Sequence, residues 1–127
     1  MNVVDSSCWL EYFAGSPVGA AVAPIINDIS KLIVPSISLY EVFRKVLIEV
    51  GEDAALMVTA HMKQARLVEL DADLSIFAAK IGLENKLPLA DSIIYATCIQ
   101  THAMLWTQDR HFKDLKMVKY FEKQQAG

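Results

Sequence analysis

The sequence predicts an α/β fold in which a short parallel sheet carries helices on both faces. Two observations lead to this prediction. Short apolar or β-branched runs alternate with helical stretches along the chain, and no Asn-Gly or similar signal joins two strands into a tight hairpin. Strands that are separated by helices usually return to one sheet in parallel. At 127 residues the chain is expected to be one domain over residues 1–124, with a short tail at 125–127.

The strands are expected where short apolar runs stop at turn-forming or helix-starting residues. They are predicted at residues 2–4, 31–34, 66–70, 104–106 and 117–118, the last extending toward 121. The second run is β-branched and ends at Pro35, which cannot donate a hydrogen bond to a continuing sheet.

The helices are expected where apolar residues recur at helical spacing between the strands. They are predicted from Asp5 or Ser6 up to the break at 15–17, and over residues 18–30, 38–50, 52–64, 73–86 and 88–101, with a turn or short helix at 109–113. Ser38 and Glu41 have the spacing of a capping box, Gly51 ends that helix, and Pro88 suits a helix start. The core side of the helix at 73–86 is expected to consist mostly of Ile76, Ala79, Ile81 and Leu83.

The composition limits the classes of function that the chain can have. Hydrophobic residues make up 54% of the chain, which is enough for a full core, and the net charge is −3. This charge argues against nucleic-acid binding through bulk charge, although a nucleic-acid enzyme with a local basic rim remains open. Cys8 and Cys98 are expected to be buried, reduced thiols, which is compatible with the cytoplasm. No signal peptide is expected, and the apolar stretch at 12–26 is too broken by Gly and Pro to span a membrane.

Four acidic residues carry the functional information: Asp5, Glu41, Asp91 and Asp109. Each lies just after a predicted strand or in the first turn of a helix. If the strands are parallel, the carboxylates meet beyond their carboxyl ends, where sites form in open α/β sheets. Two like charges about 4 Å apart repel by roughly 4 kcal/mol at an effective dielectric near 20. The sequence therefore predicts a metal site, and carboxylate ligands favour Mg²⁺ or Mn²⁺.

Each acid also has a purely structural interpretation, and the sequence leaves these open. Asp5 can cap the first helix, Glu41 can complete the capping box, and Asp91 can interact with a helix dipole. Asp109 can be a turn residue, and Asp114 competes with it for the fourth position. The joint arrangement favours the metal site over four separate caps.

Four segments resemble the PIN-domain ribonucleases, and most closely the VapC-type toxins of toxin–antitoxin pairs. The matching segments are residues 3–7, 38–42, 87–96 and 107–112. The resemblance implies a three-layer α/β/α sandwich and a Mg²⁺- or Mn²⁺-dependent endoribonuclease, with Asp5, Glu41, Asp91 and Asp109 as the acidic site. Thr107 matches a small hydroxyl residue beside that site, while Gln108 departs from the Asn or Arg common there.

The resemblance also implies partners: an RNA substrate, a small inhibitory antitoxin and a second copy of the chain in a homodimer. Independently, the helices at 39–50 and 54–62 contain more apolar residues than one buried face needs, which suggests a surface for self-association or for the antitoxin.

Some side chains near the acids remain ambiguous. Arg44, Lys45 and Arg110 can contact RNA phosphates or can be ordinary solvated charges. His111 follows Asp109 by two residues and is a further candidate, as a general base.

Other functions compete with the toxin interpretation. A PIN-type RNA-processing nuclease without an antitoxin would have the same acids. A non-enzymatic α/β interaction domain would use the acids only as caps. A phospho-acceptor domain or an Asp-x-Asp phosphatase would require a second acid beside Asp5, where Ser6 and Ser7 stand instead.

Overall fold

The computed structural model describes residues 1–123 and contains the predicted parallel sheet. Five strands are hydrogen-bonded in the order β3-β2-β1-β4-β5, and every neighbouring pair is parallel. The strands are β1 Asn2–Val4, β2 Leu32–Pro35, β3 Arg66–Val68, β4 Met104–Thr107 and β5 Val118–Tyr120. The expected tail at 125–127 lies outside the described residues.

Helices connect the strands, as the alternating pattern predicts. Within residues 1–123 the α-helices are α1 Ser6–Ala14, α2 Pro17–Asn27, α3 Ser36–Glu49, α4 Glu52–Met62, α5 Ala72–Asn85 and α6 Leu89–Thr101. Short 3-10 helices occupy Ile29–Lys31 and Arg110–Phe112. Gly15, with a φ of 72°, ends α1 in the left-handed conformation that glycine adopts without steric cost. None of the helices in the described part of the chain combines the length and the apolar composition needed to cross a membrane.

The sheet separates two apolar layers, so the α/β/α sandwich is confirmed. Successive residues of a strand point to opposite faces. In β1, Val4 belongs to the cluster under α1–α4, with Trp9, Val22 and Val42, whereas Val3 packs with Ile94 and Leu105 on the side of α6. A smaller cluster joins α5 to α6 through Leu74, Ala78, Ile93 and Ala96. Both cysteines are free and buried, as expected.

The predicted capping box at the start of α3 is wrong. The helix begins at Ser36 with Pro35 at its N-cap, two residues earlier than expected. Pro35 already has the extended backbone of an N-cap, with φ −63° and ψ 140°, so the helix starts directly behind the strand. Ser38 is therefore fully buried inside α3, and its hydroxyl has no hydrogen-bond partner among residues 1–123. Glu41 is not used as a cap, and its carboxylate is available to the site.

The predicted inward face of α5 is also wrong in part. Ile76 and Leu83 are 73% and 84% exposed, and the buried positions are Leu74, Ala78 and Gly82. These three follow the i, i+4 spacing of one helical stripe. Gly82 sets that stripe because Ser92 of α6 lies where a Cβ would be, so α5 and α6 approach closely at this point.

Candidate metal centre at the carboxyl edge of the sheet

The fold brings the four predicted acids to one edge of the sheet. Asp5 follows β1, and Asp109 follows the neighbouring strand β4. The backbone N–H of Asp5 donates to the carbonyl of Trp106, which holds the ends of these strands together. Glu41 lies in α3, directly behind β2, and Asp91 lies in the first turn of α6.

Asp5 is the most buried of the acids, with 5% of its surface exposed. Its carboxylate accepts hydrogen bonds from the Ser6 backbone N–H at 2.9 Å and from the Thr107 hydroxyl at 2.8 Å. Burial raises the pKa of Asp5 from 3.8 to about 6, although both hydrogen bonds favour the charged form. The carboxylates of Glu41 and Asp109 also raise this pKa. Asp5 therefore does cap α1, and it also contributes a buried acid to the site.

Thr107 connects two of the acids. Its hydroxyl donates to Oδ2 of Asp5 and accepts the backbone N–H of Asp109 at 2.9 Å. Because Thr107 is fully buried in β4, this bridge fixes the position of Asp5 relative to the turn that carries Asp109.

Ser6 performs the corresponding task for Glu41. The Ser6 hydroxyl donates to Oε1 of Glu41 at 2.8 Å, across 35 residues of sequence. Ser6 is buried and Glu41 is half-buried, so one carboxylate oxygen of Glu41 is oriented from the first turn of α1.

Asp91, Asp109 and His111 form the tightest group of donor atoms among the described residues. Nδ1 of His111 lies 2.9 Å from Oδ2 of Asp91 and 3.0 Å from Oδ1 of Asp109. One atom from each of the three residues lies within 4.8 Å of the other two. The Asp109 carboxylate also accepts the backbone N–H of His111 at 2.9 Å, so Asp109 is a turn residue and a member of the site at once.

The carboxylates in and beside this group repel one another, so it is unfavourable for all of them to be ionised at the same time. Burial raises the pKa of Asp91 from 3.8 to about 7, and the Asp109 and Asp5 carboxylates act in the same direction. Contact with His111 acts in the opposite direction. In the described part of the chain, neither Asp5 nor Asp91 has a Lys or Arg within ion-pair distance. Oxygen donors whose mutual repulsion is relieved only in part, by His111, fit a hard divalent cation.

A cleft opens beside the acids. It has a volume of about 520 Å³ and is lined by Ser7, Gln108, Asp109, Arg110, His111, Glu122 and Lys123. The cleft thus reaches from Asp109 and His111 to the cationic side chains of Arg110 and Lys123, and a ligand that carries negative charges at intervals can extend along it.

Sequence reasoning identifies the acids but misses the side chains that orient them. It considers Ser6 only as a possible start of the first helix and as part of a family segment, and it does not connect the Ser6 hydroxyl with Glu41. It reaches Thr107 only through the family resemblance. It offers His111 as a general base, whereas the structure places the imidazole between two carboxylates.

Comparison with known proteins agrees with the fold. A family model described as the PIN domain matches residues 3–117. A chain of a toxin–antitoxin complex from Klebsiella pneumoniae superposes with a TM-score of 0.77 at 19% identity, covering 94% of this chain and 96% of that one. The sarcin–ricin-loop-cleaving toxin VapC20 of Mycobacterium tuberculosis gives 0.74 at 18%, covering 91% and 95%. A chain of the DNA-bound VapBC complex from Salmonella typhimurium gives 0.71 at 14%, covering 95% and 98%. No curated protein matches the chain in sequence.

Proposed function

The chain belongs to the PIN domain family, and we propose that it is a Mg²⁺- or Mn²⁺-dependent endoribonuclease, the toxin of a type II toxin–antitoxin pair. The observation that carries this proposal is the meeting of Asp5, Glu41, Asp91 and Asp109 at the carboxyl edge of the sheet. Asp5 and Asp91 have pKa values raised to about 6 and about 7 there. An interaction domain would gain nothing from this repulsion, because caps alone do not require acids from four elements to converge.

The four acids would hold the ion or ions, with Asp5 and Asp91 as principal ligands. When bound, a divalent ion supplies a water of lowered pKa and stabilises negative charge on a phosphate. The protein's own contribution is orientation. Thr107 and the Ser6 backbone hold the Asp5 carboxylate, and the Ser6 hydroxyl holds one oxygen of Glu41. The other oxygen of Glu41 can accept a proton from a water placed beside the phosphate.

The RNA strand is proposed to enter through the cleft beside Gln108. Arg110 and Lys123 line this cleft, and their charges suit phosphates on either side of the scissile one. These two cations, which share the cleft with Glu122, are the proposed means by which a chain of net charge −3 holds RNA without a large basic surface. A cleft of about 520 Å³ falls within the usual range for ligand pockets, and one nucleotide at a time would occupy it.

The antitoxin is proposed to bind the groove between α3 and α4. The groove has a volume of about 480 Å³ and is lined by Leu39, Tyr40, Phe43, Arg44, Leu47, Leu56, Thr59 and Lys63. Ile48, Val50 and Met57 on the same two helices and the turn between them are exposed, so the apolar surface extends beyond the groove. Arg44 and Lys63 make the groove complementary to an amphipathic helix with acidic flanks.

The second copy of the chain is proposed to bind the α5–α6 side. Ile76, Leu83 and Leu89 are all highly exposed there. Exposed apolar side chains on one helix pair suit self-association, in which the same patch meets its own copy. Free, buried Cys8 and Cys98 are consistent with the cytoplasm as the compartment.

The nuclease proposal is tested by incubating the purified protein with total RNA and Mn²⁺ or Mg²⁺ and mapping the new RNA ends. The Asp91→Asn variant and a sample of the parent protein with EDTA are the negative controls. Asp114→Asn is the matched control, because Asp114 is an exposed acid five residues after Asp109 whose φ of 71° asparagine also adopts. Discrete metal-dependent cuts that persist in Asp114→Asn and vanish in Asp91→Asn are expected. Cuts that survive in Asp91→Asn would refute the assigned site.

A further inference from the structure

The imidazole of His111 is placed as a ligand would be. Its Nδ1 lies 2.9 Å from Oδ2 of Asp91 and 3.0 Å from Oδ1 of Asp109. Neighbouring ligands of an octahedral ion are separated by √2 bond lengths, which is about 3 Å for bonds of roughly 2.1 Å. The imidazole nitrogen therefore already lies at the spacing of adjacent corners of a six-coordinate site from one oxygen of Asp91 and one of Asp109.

The local backbone holds His111 in this position. Asp109 caps the 3-10 helix Arg110–Phe112 by accepting the His111 backbone N–H. Phe112, the next residue, is fully buried and anchors the segment in the core beside Tyr95 of α6. The backbone of His111 is thus held on both sides, while 54% of its side chain is exposed.

We propose that His111 is a nitrogen ligand of the metal centre and gives the site a preference for Mn²⁺ over Mg²⁺. This inference rests on the metal-binding part of the proposed function. Oxygen donors alone suit Mg²⁺, whereas imidazole nitrogen favours first-row transition ions, whose affinity for nitrogen donors exceeds that of Mg²⁺. One imidazole among carboxylates therefore shifts the choice of ion.

A different role for His111 makes the opposite prediction. If the imidazole only neutralises Asp91 and Asp109 through hydrogen bonds, a metal ion must displace it, and removing the ring should strengthen metal binding. If the imidazole is a ligand, removing it should weaken the binding of Mn²⁺ more than that of Mg²⁺. The sign of the change in Mn²⁺ affinity separates these two roles.

The test measures metal binding directly, without relying on cleavage. Mn²⁺ is titrated calorimetrically into the parent chain, His111→Ala and the control His102→Asn, and Mg²⁺ affinity is obtained by competition. His102 is exposed and ends α6 in the left-handed conformation that asparagine tolerates. Electron spin echo spectroscopy of the Mn²⁺-loaded samples detects ¹⁴N coupling from a coordinated imidazole. Circular dichroism confirms that the exposed substitutions leave the fold unchanged.

The expected result is ¹⁴N coupling in the parent and in His102→Asn, and its loss in His111→Ala. The ratio of Mn²⁺ to Mg²⁺ affinity should fall by roughly tenfold or more in His111→Ala only. Mn²⁺ binding without ¹⁴N coupling, or tighter Mn²⁺ binding by His111→Ala, would overturn the inference and leave the nuclease proposal standing. No Mn²⁺ binding by the parent chain would overturn both.

Discussion

Replacing Asp5 with asparagine should stabilise the metal-free protein. Asp5 is buried, and its pKa rises from 3.8 to about 6 on folding. A rise of this size corresponds to roughly 3 kcal/mol of disfavoured ionisation at about 1.36 kcal/mol per pKa unit. At pH 8 Asp5 is ionised in the folded parent, so the folded state is destabilised by this full amount. The side chain of the Asp5→Asn variant carries no charge, and its carbonyl oxygen can still accept the Ser6 backbone N–H. Its amide nitrogen then faces the Thr107 oxygen, which has to turn from donor to acceptor, and this contribution does not change with pH.

The pH dependence isolates this effect from other consequences of the substitution. Because the folded pKa of Asp5 lies above the unfolded one, the folded state binds more protons between about pH 4 and pH 6, and the parent loses stability as the pH rises through that window. The stability advantage of Asp5→Asn over the parent should therefore grow with pH. With pKa values of 3.8 and about 6, the growth between pH 4.5 and pH 8 is about 2 kcal/mol.

The assay is urea unfolding in EDTA at a series of pH values, with Asp114→Asn as the exposed control. The free energy of unfolding of Asp114→Asn should follow that of the parent at every pH. Addition of Mn²⁺ at about 100 times its dissociation constant should stabilise the parent by roughly 2.7 kcal/mol and leave Asp5→Asn much less affected. A difference between Asp5→Asn and the parent that does not change with pH would refute the reasoning.

Further outcomes follow from the same contacts. Mn²⁺ affinity, measured by calorimetry, should fall as the pH drops from 8 to 5, because protons compete for Asp5 and Asp91 below their pKa values of about 6 and about 7. Thr107→Val should lower the free energy of unfolding by about 1–3 kcal/mol in urea titrations, since it removes the buried bridge between Asp5 and the turn at residue 109. Leu83→Asp should turn the proposed dimer into a monomer in light-scattering measurements, while a dimer that persists in the variant would contradict the α5–α6 side as the interface. Arg110→Glu should weaken RNA binding and reduce its salt dependence in filter-binding assays.

Much of the fold is predictable because its signals are local. The five predicted strand positions agree with the structure to within one or two residues, since short apolar runs bounded by turn or helix-start residues can form little else. The start of α3 is mispredicted because Ser38 and Glu41 match a capping pattern, whereas Pro35 starts the helix earlier. The inward face of α5 is mispredicted because two apolar stripes compete there. Only the close packing of Gly82 against Ser92 decides which stripe is buried.

The sequence supplies the candidate acids and a reason to expect them together, because residues that follow parallel strands lie at one edge of the sheet, as Asp5 and Asp109 do. Asp91 follows α5 rather than a strand, and it joins them only through the packing of α6. The way the acids are held also depends on the folded chain. The Ser6 hydroxyl meets Glu41 across 35 residues, and the Thr107 hydroxyl meets Asp5 across 102. His111 meets Asp91 across 20 residues. No local pattern encodes such contacts, since they depend on the order of the strands and on the packing of helices from distant parts of the chain.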